Sequence, residues 1–250
     1  MLTEKEHRIK GSGELNEMFN ALSRTATGIQ RDFGEIESLQ SSIKGAADFV
    51  AKAIERVEAM ILSDLQLIRP QAGITTTNEF REGDGVDEFV LGFSGAGNFV
   101  RGNPHFAISL ALKHEGETAI GLIYSPIDDR LYFAEKGNGA FIFAPFHSQR
   151  MRASTRTEPT DLTIYKSFPG LTGESRPLIS QIPTSNLRIS GCPALDLAYV
   201  ASGKADIAIL ANDGISEICA GQLLVEEANG FVDFTNGDIL AASLSIKSFI

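Results

Sequence analysis

Apolar residues recur at helical spacing in the first third of the chain. Leu15, Met18, Phe19, Leu22, Ile29 and Phe33 are separated by polar residues and predict an amphipathic helix over 14–33. Phe49, Val50, Ala53, Ile54, Val57, Met60, Ile61, Leu65 and Ile68 predict a second over 46–68, closed by Pro70 and Gly73. Residues 73–86 show no periodicity and read as a loop. The period then changes to two. Short strands are predicted at 88–91, 105–113, 118–124, 131–134 and 140–143, joined by the turns Glu115-Gly116-Glu117, Pro126-Ile127-Asp128-Asp129 and Gly137-Asn138-Gly139. Strands joined so tightly predict an antiparallel meander. Residues 144–159 are polar and rich in Arg, Ser and Thr, the best place for a boundary. Beyond them strand-like segments (162–168, 186–189, 205–210, 231–234) alternate with helix-like ones (193–202, 215–229), which predicts an α/β layer. The expected organisation is a tail over 1–13, an α+β half over 14–147 and an α/β half over 148–250, in one compact unit.

Composition narrows the function classes. At 250 residues the chain can bury a sizeable core, and its 43% hydrophobic and 22% charged residues are ordinary for a globular protein. No apolar run is long enough to cross a bilayer, and the segment Met1–His7 lacks the apolar core of a secretory signal. Cys192 and Cys219 make neither a disulfide framework nor a metal cluster, so a reducing cytoplasmic location is expected. A net charge of -10 argues against a nucleic-acid groove and opposes phosphate esters unless a metal or a basic pocket offsets it.

The chemistry comes from a resemblance. Leu91-Gly-Phe-Ser-Gly-Ala-Gly-Asn-Phe99 resembles the metal-binding signature Asp-Pro-Leu/Ile-Asp-Gly-Thr-x-Asn-Phe of the inositol monophosphatase family. Further similar stretches follow in the family's order: Lys44-Gly-Ala-Ala-Asp48-Phe-Val50, Phe99-Val-Arg-Gly102-Asn-Pro104, Gly121-Leu-Ile-Tyr124-Ser-Pro126, Lys136-Gly137-Asn-Gly139-Ala140-Phe141, Gly191-Cys-Pro-Ala194-Leu-Asp196 and Ala220-Gly221 with Glu227-Ala228-Asn-Gly230. The resemblance spans about 14–240. It implies that family's layered α/β (α+β) sandwich, shared with fructose bisphosphatase, usually built as a homodimer, and Mg²⁺-dependent hydrolysis of phosphate monoesters.

That chemistry needs hard oxygen donors, carboxylates above all. The positions that match the family's donors here are Ile54, Thr75 (in Gly73-Ile74-Thr75), Leu91, Ser94 and Glu217, with Ala96 where the family has the threonine that positions the nucleophile. Only Glu217 is acidic. Glu79 or Glu82 in the preceding loop are the carboxylates that could substitute. The expectation is a family member without metal or other cofactor and without hydrolytic activity, acting by binding as a homodimer or with a protein partner, and making no contact with membrane or nucleic acid. The alternative is an active Mg²⁺-dependent inositol or sugar phosphate monoesterase, a phosphoric monoester hydrolase, with an unusual ligand set.

Two further features are candidates for binding. Gly95-Ala96-Gly97 should open a helix and form a cradle for a small anion, or serve only as a turn. Asp196 matches a position on the substrate side, or caps its helix. His105, Cys192 and Cys219 read as structural, and the acidic run 82–88 as a solvated loop.

Overall fold

A computed structural model describes residues 9–39, 43–144, 147–166, 186–211, 215–234 and 238–247. Helix α1 spans Gly13–Leu39 and α2 spans Ile43–Ile68. Ser12 caps α1 by accepting the Leu15 N–H at 3.1 Å. The Asn16 side chain pins the preceding segment to it, bonding both backbone groups of Ile9, which is buried. Helix α1 outruns its predicted end because Ile36, fully buried, carries the apolar stripe on past Phe33.

Residues 73–86, expected to be a loop, contain a hairpin: β1 (Gly73–Thr75) and β2 (Phe80–Arg81) pair antiparallel. Strands of three and two residues are too short to show alternation. A local side-chain bond sets the turn, with the Thr76 hydroxyl accepting the Asn78 and Glu79 amides. Strand β3 (Asp87–Ser94) runs parallel to β1 and leads into a five-residue helix, α3 (Ala96–Val100). The meander follows as β4 (Ala107–His114), β5 (Glu117–Ser125), β6 (Arg130–Glu135), β7 (Gly139–Ala144) and β8 (His147–Arg150). Strand β8, inside the polar stretch 144–159, adds to β7 and completes a sheet in the order β2-β1-β3-β4-β5-β6-β7-β8.

The second sheet uses β9 (Thr163–Lys166), β10 (Asn186–Ile189), β11 (Ile207–Ala211), β12 (Gly230–Asp233) and β13 (Asp238–Ser243) in the order β10-β9-β11-β13-β12. Strands β9, β10 and β11 are parallel, whereas β13 is antiparallel to β11 and β12. Residues 167–168, the predicted end of the strand at 162–168, lie outside the described residues, as does the start of the tail, 1–8. Helices α4 (Pro193–Ala201) and α5 (Ile215–Glu227) pack between the sheets.

Strand alternation explains the layers. On β3 and β4, Leu91, Phe93, Ile108 and Leu110 face the α1–α2 pair, while Val90, Ala107 and Ala111 face α4 and α5. The result is a layered α/β sandwich: helix pair, eight-stranded sheet, helix pair, five-stranded sheet. No described helix is long and apolar enough to cross a membrane.

A charged network ties the ends of three elements together. Arg69, after α2, donates to Glu14 of α1 and to Asp87 of β3; His114 Nδ1, at the end of β4, lies 2.7 Å from the same Asp87 carboxylate. The bond to Asp87 raises the His114 pKa, with attraction to the Asp87 charge assisting. A folded pKa above the unfolded value gives stability that is complete below about 6.5 and is lost as pH rises through the folded value. His114→Gln is therefore expected to lower the melting temperature more at about pH 5.5 than at about pH 8.5. Circular dichroism melts at the two values check this; an equal loss at both would show that the contact does not depend on charge.

Candidate functional site

The signature segment ends β3 and enters α3 through Gly95, whose φ of 86° is left-handed. A Cβ there would stand 2.9 Å from the His105 carbonyl oxygen, so this glycine satisfies both a turn and a close approach. Asn98 bridges two segments, donating to the carbonyls of His105 at 2.7 Å and Ser190 at 2.9 Å. Phe99 stacks on Phe106 with centroids 4.6 Å apart, and Phe93 packs beside both rings. The part of the signature that this chain shares with the family is thus engaged in holding the backbone.

Leu91 and Ser94, two of the positions that match the family's donors, face different layers. Three residues apart on a strand, they lie on opposite faces of the sheet. Leu91 has no exposed surface and belongs to the apolar cluster under α1 and α2, against which the half-buried Ile54 also packs. Ser94, also at 0% exposure, points to α4: its Oγ accepts the Ala194 N–H at 3.2 Å, and the Cys192 thiol, which donates to the Ser94 carbonyl oxygen, lies 3.5 Å from the same Oγ. Burial pushes the Cys192 thiol up to about 12; the hydrogen bond with Ser94 draws it down, and the carboxylates of Asp196 and Glu217 push it further up. That thiol is a packed neutral group, and the structural reading of Cys192 agrees with it.

Asp196 and Glu217 are thereby placed within electrostatic range of the Ser94–Cys192 contact. Asp196, fully buried, sits in the first turn of α4, and Glu217 in the first turn of α5. Helix α5 starts against the sheet because Gly92 has no side chain: a Cβ there would meet the Ser216 carbonyl oxygen at 2.6 Å. The Thr77 and Ser216 hydroxyls, 3.3 Å apart, bring the β1–β2 turn to the same helix start.

The other candidates are elsewhere. The Thr75 hydroxyl donates to Glu88 at 2.5 Å. Glu79 is exposed and paired with Arg81 at 2.9 Å, and Glu82 is exposed. Burial raises the Glu58 pKa, and the charges of Glu55 and Glu79 add to it, so the Glu79 side of the hairpin faces α2. Helix α3 is a short cradle. Its Asn98 and Phe99 amides bond the Gly95 carbonyl, and Gly97 approaches nothing closely enough to require a glycine. His105 is half-buried beside Tyr199, its ring centroid 5.8 Å away; its Nε2 is buried without a hydrogen-bond partner, and burial lowers its pKa. Among the described residues, no three His, Cys, Asp or Glu side chains are grouped so as to hold a metal ion. The Cys192–Ser94–Ala194 contact was missed from sequence, since nothing in residue type says that a thiol 98 positions away will face the signature serine.

Comparison with known proteins agrees with this fold and order of motifs. The sequence model of the inositol monophosphatase family matches residues 14–247. An inositol-1-monophosphatase of Rhizobium meliloti (strain 1021) is 34% identical over 231 residues, 88% of this chain and 85% of the relative. The Nus factor SuhB of Escherichia coli (strain K12) is 31% identical over 234 residues, 89% of this chain and 86% of the relative. The crystal structure of the extragenic suppressor protein suhB from Bartonella henselae superposes with a TM-score of 0.81 at 32% identity, covering 96% of this chain and 97% of that one. The chain belongs to the inositol monophosphatase family.

Two substitutions probe the packing at the signature. Leu91→Asp places a carboxylate in an apolar cluster with no cation to meet it, and is expected to cost on the order of 3–5 kcal/mol. Ser94→Ala leaves the buried Ala194 N–H without its acceptor, at about 1–3 kcal/mol. Chemical denaturation of the two variants checks both values; a Leu91→Asp protein as stable as the parent would mean that position 91 is open to solvent.

Proposed function

We propose that this member of the inositol monophosphatase family does not hold the magnesium ions that the family's chemistry requires, and acts by binding. One observation carries the reading: the two signature positions that would supply carboxylates, Leu91 and Ser94, are fully buried and face opposite layers. Mg²⁺ asks for near-octahedral oxygens, usually including carboxylates, at ~2.1 Å. Leucine offers no oxygen. Both the Ser94 hydroxyl and the Thr75 hydroxyl are engaged in bonds within the protein. Among the described residues, Glu217 and Asp196 are acidic residues in the first turns of the two helices beside the site. A pair of divalent ions there would lose most of its hydration without enough negative charge to replace it. The residues present do not fit the metal cluster.

In place of catalysis, the reading assigns the chain a homodimeric or partner-bound regulatory role. One relative carries the name Nus factor SuhB, which is not the name of a hydrolase. A small anion at Gly95–Gly97 has weaker support, since α3 is five residues long.

The second reading is an active Mg²⁺-dependent inositol or sugar phosphate monoesterase. The names of the most similar relatives weigh toward it, as they are inositol-1-monophosphatases over nearly the whole chain. So does the convergence of Asp196 and Glu217 on the Ser94–Cys192 contact.

Calorimetric titration with Mg²⁺ and Mn²⁺, beside phosphate release from a panel of inositol and sugar phosphates, separates the two. The expected result is no saturable metal binding and no metal-dependent release. Metal-dependent release that Glu217→Ala abolishes would overturn the proposal in favour of the hydrolase. Light scattering on the full chain is expected to give the mass of a dimer.

A further inference from the structure

One side of α5, from Ile218 to Glu227, borders a cavity of about 570 Å³ in whose lining no residue of the signature takes part. Strand β4 sets the separation: Ala107 pairs with Ser94 at one end and Lys113 with Glu88 at the other, roughly 20 Å apart at ~3.3 Å per residue. The cavity opens between the β4–β5 turn, the outer turns of α5 and the β12–β13 hairpin.

Lys113 is the unusual group in its wall. Its side chain is only 17% exposed, and its ion-pair partner among the described residues, Glu88, is 4.0 Å away, beyond hydrogen-bond distance. Glu88 is already accepting a bond from Thr75. An ammonium with so little water, whose carboxylate partner stands beyond hydrogen-bond distance, favours an incoming anion that can bond it.

The remaining wall decides which anion. Ile218 and Leu223, 3% exposed, form the apolar floor, while Phe234 at the mouth, 48% exposed, gives an apolar body most of the surface it would cover. The other charges are already matched or negative. Lys136 is paired with Glu117, and Glu227 accepts the amides of Gly137 and Gly139. Glu226, bonded to Gln222, adds negative charge at the rim. A dianion such as a phosphate ester would have one charge met by Lys113 and a second facing these carboxylates, in a protein of net charge -10. A monoanion with an apolar body avoids that repulsion.

We propose that this cavity binds a small apolar monocarboxylate, its carboxylate on Lys113 and its body against Ile218, Leu223 and Phe234. The site is independent of the metal question, since it shares no residue with the signature. Phenylacetate and hexanoate are the probes, with benzylamine and inorganic phosphate as counter-probes, read by calorimetry and ligand-observed NMR on the full chain. Both carboxylates are expected to bind saturably, with neither counter-probe doing so. Lys113→Met, which keeps the aliphatic stem, should weaken binding by about tenfold or more. Phe234→Ala should weaken it less, and Glu226→Gln should tighten it by removing a repelling charge. Phe234 and Glu226 are exposed, so those variants decide the matter even if Lys113→Met fails to fold. Absence of saturable carboxylate binding, equal binding of benzylamine or phosphate, or unchanged binding in a folded Lys113→Met protein would overturn the proposal.

Discussion

The close seating of α5 on the first sheet is the constraint that the rest of the structure depends on. A helix normally stands off a sheet by the length of the side chains between them. Here three glycines remove that spacing. Gly92 of β3 lies under the Ser216 carbonyl, Gly121 of β5 under Ala220, and Gly221 of α5 itself admits Leu197 of α4. Contact with the backbone leaves the helix little freedom to slide, because a Cβ added at Gly92 or Gly121 would collide with backbone atoms that cannot rotate away. The start of α5 is thereby held beside the signature and its last turns over the β4–β5 end. One packing decision positions both Glu217 and the cavity at Lys113.

That decision also explains why a signature can lose its acids and keep its shape. Its residues have separate duties. Gly95, Asn98 and Phe99 maintain a left-handed turn, two carbonyl bonds and a ring stack, none of which involves a metal. Leu91 extends the apolar cluster beneath α1 and α2, and Ser94 holds the first turn of α4 through the Ala194 amide. In a carboxylate-rich version of such a site, ions offset the mutual repulsion of the acids. With leucine and serine at 91 and 94, hydrophobic burial and a neutral hydrogen bond stabilise these two positions.

Much of the fold was legible in the residues. Periodicity located α1, α2 and the meander because those segments are long enough to show it, and the glycine-centred turns marked their joins. The shortest elements were not legible: β1, β2 and β8 have two to four residues, and β13 was passed over beside a turn. At the site, residue type alone showed that Leu91 and Ser94 carry no carboxylate. It did not show that they face different layers, although their odd separation on a strand implies it once the strand is known to reach Ser94.

The sequence by itself determined which atoms are present: a leucine at 91 and a serine at 94, two cysteines, an apolar pattern that assigns each strand residue to a layer. Those properties are local, fixed by side-chain chemistry and by periods of 3.6 and 2. Only the tertiary structure decided which distant groups meet. It set Cys192 against Ser94, and the Lys113 ammonium in the wall of a cavity with its partner Glu88 4.0 Å away. Such meetings depend on how helices seat on sheets, a matter of excluded volume between segments a hundred residues apart, and no local pattern encodes it.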